Sequence, residues 1–111
     1  MSSRSKYGAR KTTVDGITFD SHKEAERYIE LRLLQRAGKI TKLKLQPEYE
    51  LLPGFTVDGI RHRKTVYRAD FEYVDERGKT VVEDVKGMKT DVYRLKKKLF
   101  AWKYKMNITE Y

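Results

Sequence analysis

With 111 residues, 37% of them charged and a net charge of +9, the chain has the size of one domain around one modest core. Cysteine is absent, which excludes disulfides, thiolate metal sites and a cysteine nucleophile, and His22 and His62 alone are too few for a structural zinc site. No segment is apolar for long enough to span a bilayer and none has the apolar centre of a signal peptide, so a soluble cytoplasmic domain is expected.

Residues 1–12 (MSSRSKYGARKT) have no hydrophobic period and predict a disordered basic arm ahead of a single domain over residues 13–111. Asp15-Gly16 predicts a tight turn between short strands at about Lys11–Val14 and Ile17–Phe19, because both central positions of such a turn need positive φ. Ser21-His22-Lys23-Glu24 has the form of a capping box. Ala25, Tyr28, Ile29, Leu31 and Leu34 then recur at helical spacing until Gly38 stops the helix. Ile40, Leu43 and Leu45 alternate with lysines in a strand interrupted by Pro47, which suits an edge or a bend. Tyr49–Leu52 is a short strand ended by Pro53-Gly54, and residues 54–65 predict a polar loop or a ragged hairpin.

Val66–Val74 alternates, with Tyr67, Ala69, Phe71 and Tyr73 on one face and Arg68, Asp70 and Glu72 on the other. Thr80–Val85 is the returning strand, ended by Gly87. Thr90 or Asp91 caps a final helix to about Lys103. Val92, Leu95, Leu99 and Trp102 are its expected buried stripe, and Ile108 falls in a last short strand. This order predicts an α+β fold with a mixed sheet.

The charge is unevenly placed. Residues 1–12 carry +4 and residues 86–105 carry +7, whereas residues 13–85 carry −1. Charge spread for solubility alone would not leave the middle near neutral. A polyanion is the expected partner, nucleic acid being the commonest.

The hairpin around Glu76-Arg77-Gly78 carries the chemistry. A three-residue loop puts Gly78 at the left-handed bulge position. Asp75 then pairs with Lys79, Glu72 with Val82, Asp70 with Asp84 and Arg68 with Lys86. Cross-strand partners lie about 4.5–5.5 Å apart, so Asp70 and Asp84 stand side by side, with Lys86 next along the same face. Opposed like charges destabilise a sheet. A divalent cation such as Mg²⁺ removes that conflict, and a lysine beside it can orient or deprotonate a water or stabilise charge on a phosphate. Spacing alone fits a solvated face equally well, with Arg68 and Lys86 neutralising the acids. A four-residue loop would instead pair Asp70 with Glu83 and turn Asp84 away.

Asp70 followed by Asp84-Val85-Lys86 resembles the Asp…(Asp/Glu)-X-Lys signature of the PD-(D/E)XK nuclease superfamily, with Ala69 where the signature usually has proline. More widely, the chain resembles DUF1064, a phage-encoded domain family of unknown function assigned to that superfamily. The likeness runs over about residues 10–111. It is carried by Phe19-Asp20-Ser21 through Glu24, Gln46-Pro47, Tyr67 through Phe71, Val82 through Gly87, and Thr90 with Tyr93 through Phe100.

The resemblance implies a restriction-endonuclease-like core with two helices flanking a central mixed sheet, and a Mg²⁺ or Mn²⁺ site. Asp70 would be the central ligand and Asp84 the second, with the Val85 carbonyl beside it. Lys86 would position the water or stabilise the scissile phosphate, and Glu24 would complete the acidic cluster from the first helix. Glu24 also fits the capping box as its third helical residue. Tyr93, Arg94, Lys97 and Lys98, with Arg10 and Lys11 in the arm, are the expected nucleic-acid contacts; the plainer reading of that helix is a solvated face. His22 and His62 are expected at the surface and Trp102 in the core.

The function expected is a divalent-metal-dependent deoxyribonuclease of a phage or prophage, working in a bacterial cytoplasm on DNA, with RNA left open. Cutting both strands would call for a homodimer. The alternatives are a non-catalytic nucleic-acid-binding module and a phage interaction protein on the same fold. The opposed acids favour the enzyme, since a pure binder would carry cations near phosphate.

Overall fold

The computed structural model describes residues 10–85 and 89–111. Strands β1 (Thr12–Val14) and β2 (Ile17–Phe19) form the first hairpin. Its turn residues Asp15 and Gly16 have φ of 53° and 76°, as the Asp-Gly pair demands. Ser21 caps α1 (His22–Arg36), its hydroxyl accepting the Glu24 N–H at 3.1 Å. Ala25, Tyr28 and Leu31 of α1 join Phe19, Ile40, Phe71 and Tyr73 in a first core. Ile29 and Leu34, expected in that stripe, are exposed. Among the described elements its backbone lies nearest β1, β2 and the next strand, and it buries a single narrow line.

Six strands follow: β3 (Thr41–Leu45), β4 (Glu48–Leu52), β5 (Phe55–Val57), β6 (Ile60–His62), β7 (Thr65–Arg68) and β8 (Phe71–Val74). They are the two arms of one long antiparallel ribbon, in which β5 pairs with β6, β4 with β7 and β3 with β8. Residues 54–65, expected as a loop or ragged hairpin, hold a regular hairpin closed by Asp58-Gly59 at φ of 49° and 76°. Lys44 lies opposite Glu72, Leu45 opposite Phe71, Glu48 opposite Arg68 and Tyr49 opposite Tyr67. Between these pairs the Gln46 N–H donates to the Asp70 carbonyl at 2.9 Å and the Ala69 N–H to the Pro47 carbonyl at 3.1 Å, so the register continues through a bend. Gln46 sits there at a φ of 49°, and Pro47 has no N–H to give the ladder.

The bend corrects the reading of Val66–Val74 as one strand with one apolar face. Tyr67 and Ala69 pack into a second core with Leu51, Val82, Tyr93, Phe100 and Ile108. Phe71 and Tyr73 pack into the first. Strict alternation holds only along an unbroken strand, and this one is broken at Ala69 and Asp70.

Strand β9 (Thr80–Asp84) returns antiparallel to β8 after the three-residue loop, with Gly78 at a φ of 82° and the Asp75 N–H donated to the Lys79 carbonyl at 2.9 Å. Helix α2 (Asp91–Tyr104), capped by the Thr90 hydroxyl, then leads to β10 (Thr109–Glu110), which lies parallel to β9. The result is a mixed α+β fold with two helices and a central mixed sheet ordered β10-β9-β8-β3.

The stripe expected on α2 is the wrong one. Val92, Leu95 and Trp102 are 63%, 56% and 67% exposed, while Tyr93 and Phe100 are buried and Leu99 lies at the margin. Two apolar lines run along this helix. Strands β4 and β7 meet the aromatic one, where Phe100 packs edge-on to Tyr49 at 5.0 Å and beside Tyr67 at 5.8 Å. Among the described residues, no helix is long and apolar enough to cross a membrane.

Candidate active site

Asp70 stands at the bend, where its backbone serves both neighbouring strands. Its N–H donates to the Glu83 carbonyl at 3.2 Å, and its carbonyl accepts from Gln46. Its side chain turns to β9, where Oδ2 accepts the Val85 N–H at 2.7 Å. Glu72 lies opposite Val82 and Phe71 opposite Glu83, which is the register of the three-residue loop. Asp84 is thereby brought beside Asp70, close enough for its carboxyl to act on that of Asp70.

Asp84 is fully buried, deeper than a solvated sheet face would put it. The Tyr67 hydroxyl donates to its Oδ2. Burial first, then the hydrogen bond and charge of Asp84, push the Asp70 carboxyl up to about 8; the Val85 N–H opposes this and the charge of Glu24 adds to it. A half-buried carboxyl this close to a fully buried one keeps a proton that it would lose in water. Glu24, 6% exposed on the first turn of α1, thus bears on the pair from the helix side. Among the described residues no three His, Cys, Asp or Glu side chains are grouped so as to hold a metal ion as they stand. The donor set is all oxygen, and an acid pair in which Asp70 retains a proton is one whose proton a hard cation can replace.

Glu83, the residue a shifted register would have offered, points to the other face. Arg27 grips it through Nε at 2.5 Å and Nη2 at 2.9 Å, and the Tyr73 hydroxyl donates to it at 2.7 Å. This buried ion pair ties β9 to α1. Arg27 also stacks over the Tyr111 ring at 4.1 Å, and the Tyr111 hydroxyl donates to Glu30.

The expected nucleic-acid contacts divide. Tyr93 faces inward, not towards solvent: it is buried and its hydroxyl donates to Glu110 at 2.7 Å. Glu110 also receives Lys89 at 3.0 Å and Lys97 at 3.2 Å, and these partners hold its carboxyl down to about 2. Arg94 is exposed and paired with Asp91 at 3.1 Å. Lys98, Arg10 and Lys11 are exposed, as are His22 and His62. Lys86 lies outside the described residues, as do residues 1–9 of the expected arm.

Tyr67 was not legible as a site residue, because an aromatic in an alternating strand reads as core. Its signal is that it precedes Asp70 by three residues on a strand that bends in between. The family described as protein of unknown function (DUF1064) matches residues 4–110 of the chain. No curated protein and no solved structure matches it.

Proposed function

The chain belongs to the DUF1064 family, and we propose that it is a divalent-metal-dependent deoxyribonuclease with a PD-(D/E)XK site on a restriction-endonuclease-like core. One observation carries the reading: a bent ribbon holds a half-buried Asp70 against the fully buried Asp84, in a pair whose proton a hard cation would displace. Asp70 and Asp84 would hold Mg²⁺ or Mn²⁺, with Glu24 and the Val85 carbonyl completing its surroundings. The cation would neutralise the pair and supply Lewis acidity toward a phosphodiester oxygen.

The chain's own groups do the positioning. The Val85 N–H orients the Asp70 carboxylate, and the Tyr67 hydroxyl orients Asp84. The Arg27–Glu83 pair holds β9 at a set distance from α1, and so holds Asp84 relative to Glu24. Lys86, two residues beyond Asp84, would face the charge that develops on the phosphate. Lys98 and Arg94, with the basic N-terminal segment, would hold the DNA backbone.

The test is cleavage of supercoiled and linear DNA with Mg²⁺ or Mn²⁺ and with EDTA. Asp70→Asn and Asp84→Asn should each lower cleavage by a factor of about 10³ or more. DNA binding should be unchanged or tighter, since a negative charge near phosphate is removed. Wild-type cleavage by Asp70→Asn would sink the assignment. Binding without cleavage under either cation would leave a nucleic-acid-binding module.

A further inference from the structure

The outer part of the ribbon leaves the body of the protein: among the described elements, β5 and β6 meet only each other. Phe55 pairs with His62, Thr56 with Arg61 and Val57 with Ile60. Alternation therefore puts Phe55, Val57, Ile60 and His62 on one face. All four are exposed, Val57 at 50% and Ile60 at 63%, and the Phe55 and His62 rings stack at 4.8 Å. Arg61 lies on the other face, against Gly54. A Cβ at Gly54 would stand 2.5 Å from Arg61 Nη2, so a side chain there would push the guanidinium aside. The returning strand and the residues after it carry Arg61, Arg63 and Lys64, against Asp58 as the one acid of residues 53–64.

We propose that this hairpin is a DNA-engaging arm: a two-stranded ribbon that lies in a groove of duplex DNA, its apolar face on sugars and base edges, with Arg63 and Lys64 at its base and Arg61, reaching round from the other face, on the flanking phosphates. An apolar ribbon face also suits a second copy of the chain, but charge decides between them. Two such arms laid together would add excess charge of one sign with nothing to balance it, whereas phosphates neutralise the three cations with release of counterions. The major groove, about 12 Å wide, admits a two-stranded ribbon. From Ile60 to Asp70 the chain covers at most about 33 Å at 3.3 Å per residue, close to one turn of B-DNA. An arm seated in a groove and an acid pair at a phosphate therefore fit one short stretch of duplex.

The inference rests on the nuclease reading for its ligand, so it is tested through binding in EDTA, which cleavage does not enter. Affinity for a short fluorescent duplex is measured across a salt series for the parent, Arg61→Ala/Arg63→Ala/Lys64→Ala, Val57→Ser/Ile60→Ser and Asp70→Asn. The arm positions are exposed, and circular dichroism with urea unfolding checks that each variant folds. The basic variant should bind at least tenfold more weakly, its salt slope reduced by about 2 to 3 for up to three phosphate contacts. The tip variant should lose about five- to tenfold with its slope unchanged, because apolar contacts release no counterions. Asp70→Asn should bind no more weakly than the parent.

Arm variants that bind like the parent overturn the proposal. So does a parent dimer, seen by sedimentation, that Val57→Ser/Ile60→Ser dissociates with DNA affinity unchanged. A parent that needs its arm to bind but never cuts with Mg²⁺ or Mn²⁺ removes the nuclease reading and leaves the arm. A parent that cuts while its arm variants bind undiminished removes the arm and leaves the nuclease.

Discussion

Asp70 and Asp84 show how far a residue's chemistry follows from its address. Their adjacency was readable because hairpin register is arithmetic once the loop is known, and Gly78 betrayed the loop. The burial of Asp84 was not, because it depends on Tyr67 arriving from beyond a bend. The role of Glu83 was equally hidden, since its partner Arg27 lies on a helix far away in sequence. The acid pair makes stability depend on pH in an unusual sense. An unfolded aspartate titrates near about 3.9, and the native Asp70 carboxyl near about 8. Between those values the native state keeps a proton that the unfolded chain releases. The pair's contribution is therefore whole below about pH 4 and is lost as pH rises through about 8. In EDTA the urea midpoint should fall between about pH 5 and about pH 8. Mg²⁺ or Mn²⁺ should raise the midpoint more at the higher pH, where the cation no longer competes with the proton. Asp70→Asn should flatten both trends. A cation effect equal at the two pH values would show that the ion binds elsewhere.

At the scale of elements, period and punctuation were enough to place both helices, the Asp15-Gly16 turn and the three-residue hairpin loop. They were not enough to say which side of an element meets the core. Helix α2 carries two apolar lines, and only the strands beneath it decide between them. Tyr93 and Phe100 meet an aromatic cluster on β4 and β7, so the other line is left to solvent. Phe100→Ala should accordingly cost about 3–5 kcal/mol, whereas Leu95→Ser and Trp102→Ser should each stay within about 0.5 kcal/mol. Equilibrium urea unfolding of the three variants checks this. A large loss in Trp102→Ser would mean that the exposed line is covered in solution. The bend at Gln46-Pro47 is a related case. Pro47 marked an interruption in its own strand, but nothing in residues 66–74 showed that the partner strand must turn with it.

For the molecule as a whole, charge summed over long blocks found the basic segment of α2 and overlooked a shorter one. Residues 13–85 are near neutral together, yet Arg61, Arg63 and Lys64 stand within four residues, and their hairpin projects them away from the acids that balance them. Summation along a sequence takes no account of where the fold separates charges. The same separation divides the protein into a body that holds the acid pair and an appendage that contributes nothing to either core.

That division makes the ribbon's outer end interchangeable. Leu52 and Thr65 already face each other where the ribbon enters the body, and a two-residue Asn-Gly turn can join strands at that separation. Replacing residues 53–64 with Asn-Gly should leave cooperative unfolding within about 1 kcal/mol of the parent, since an element without tertiary packing adds little to global stability. A chain that failed to fold would show that the hairpin is structural. If it folds, arms of other lengths and compositions can be exchanged at the same two residues. Descendants of one ancestor could then diverge in what the arm grips without disturbing the acid pair in the body.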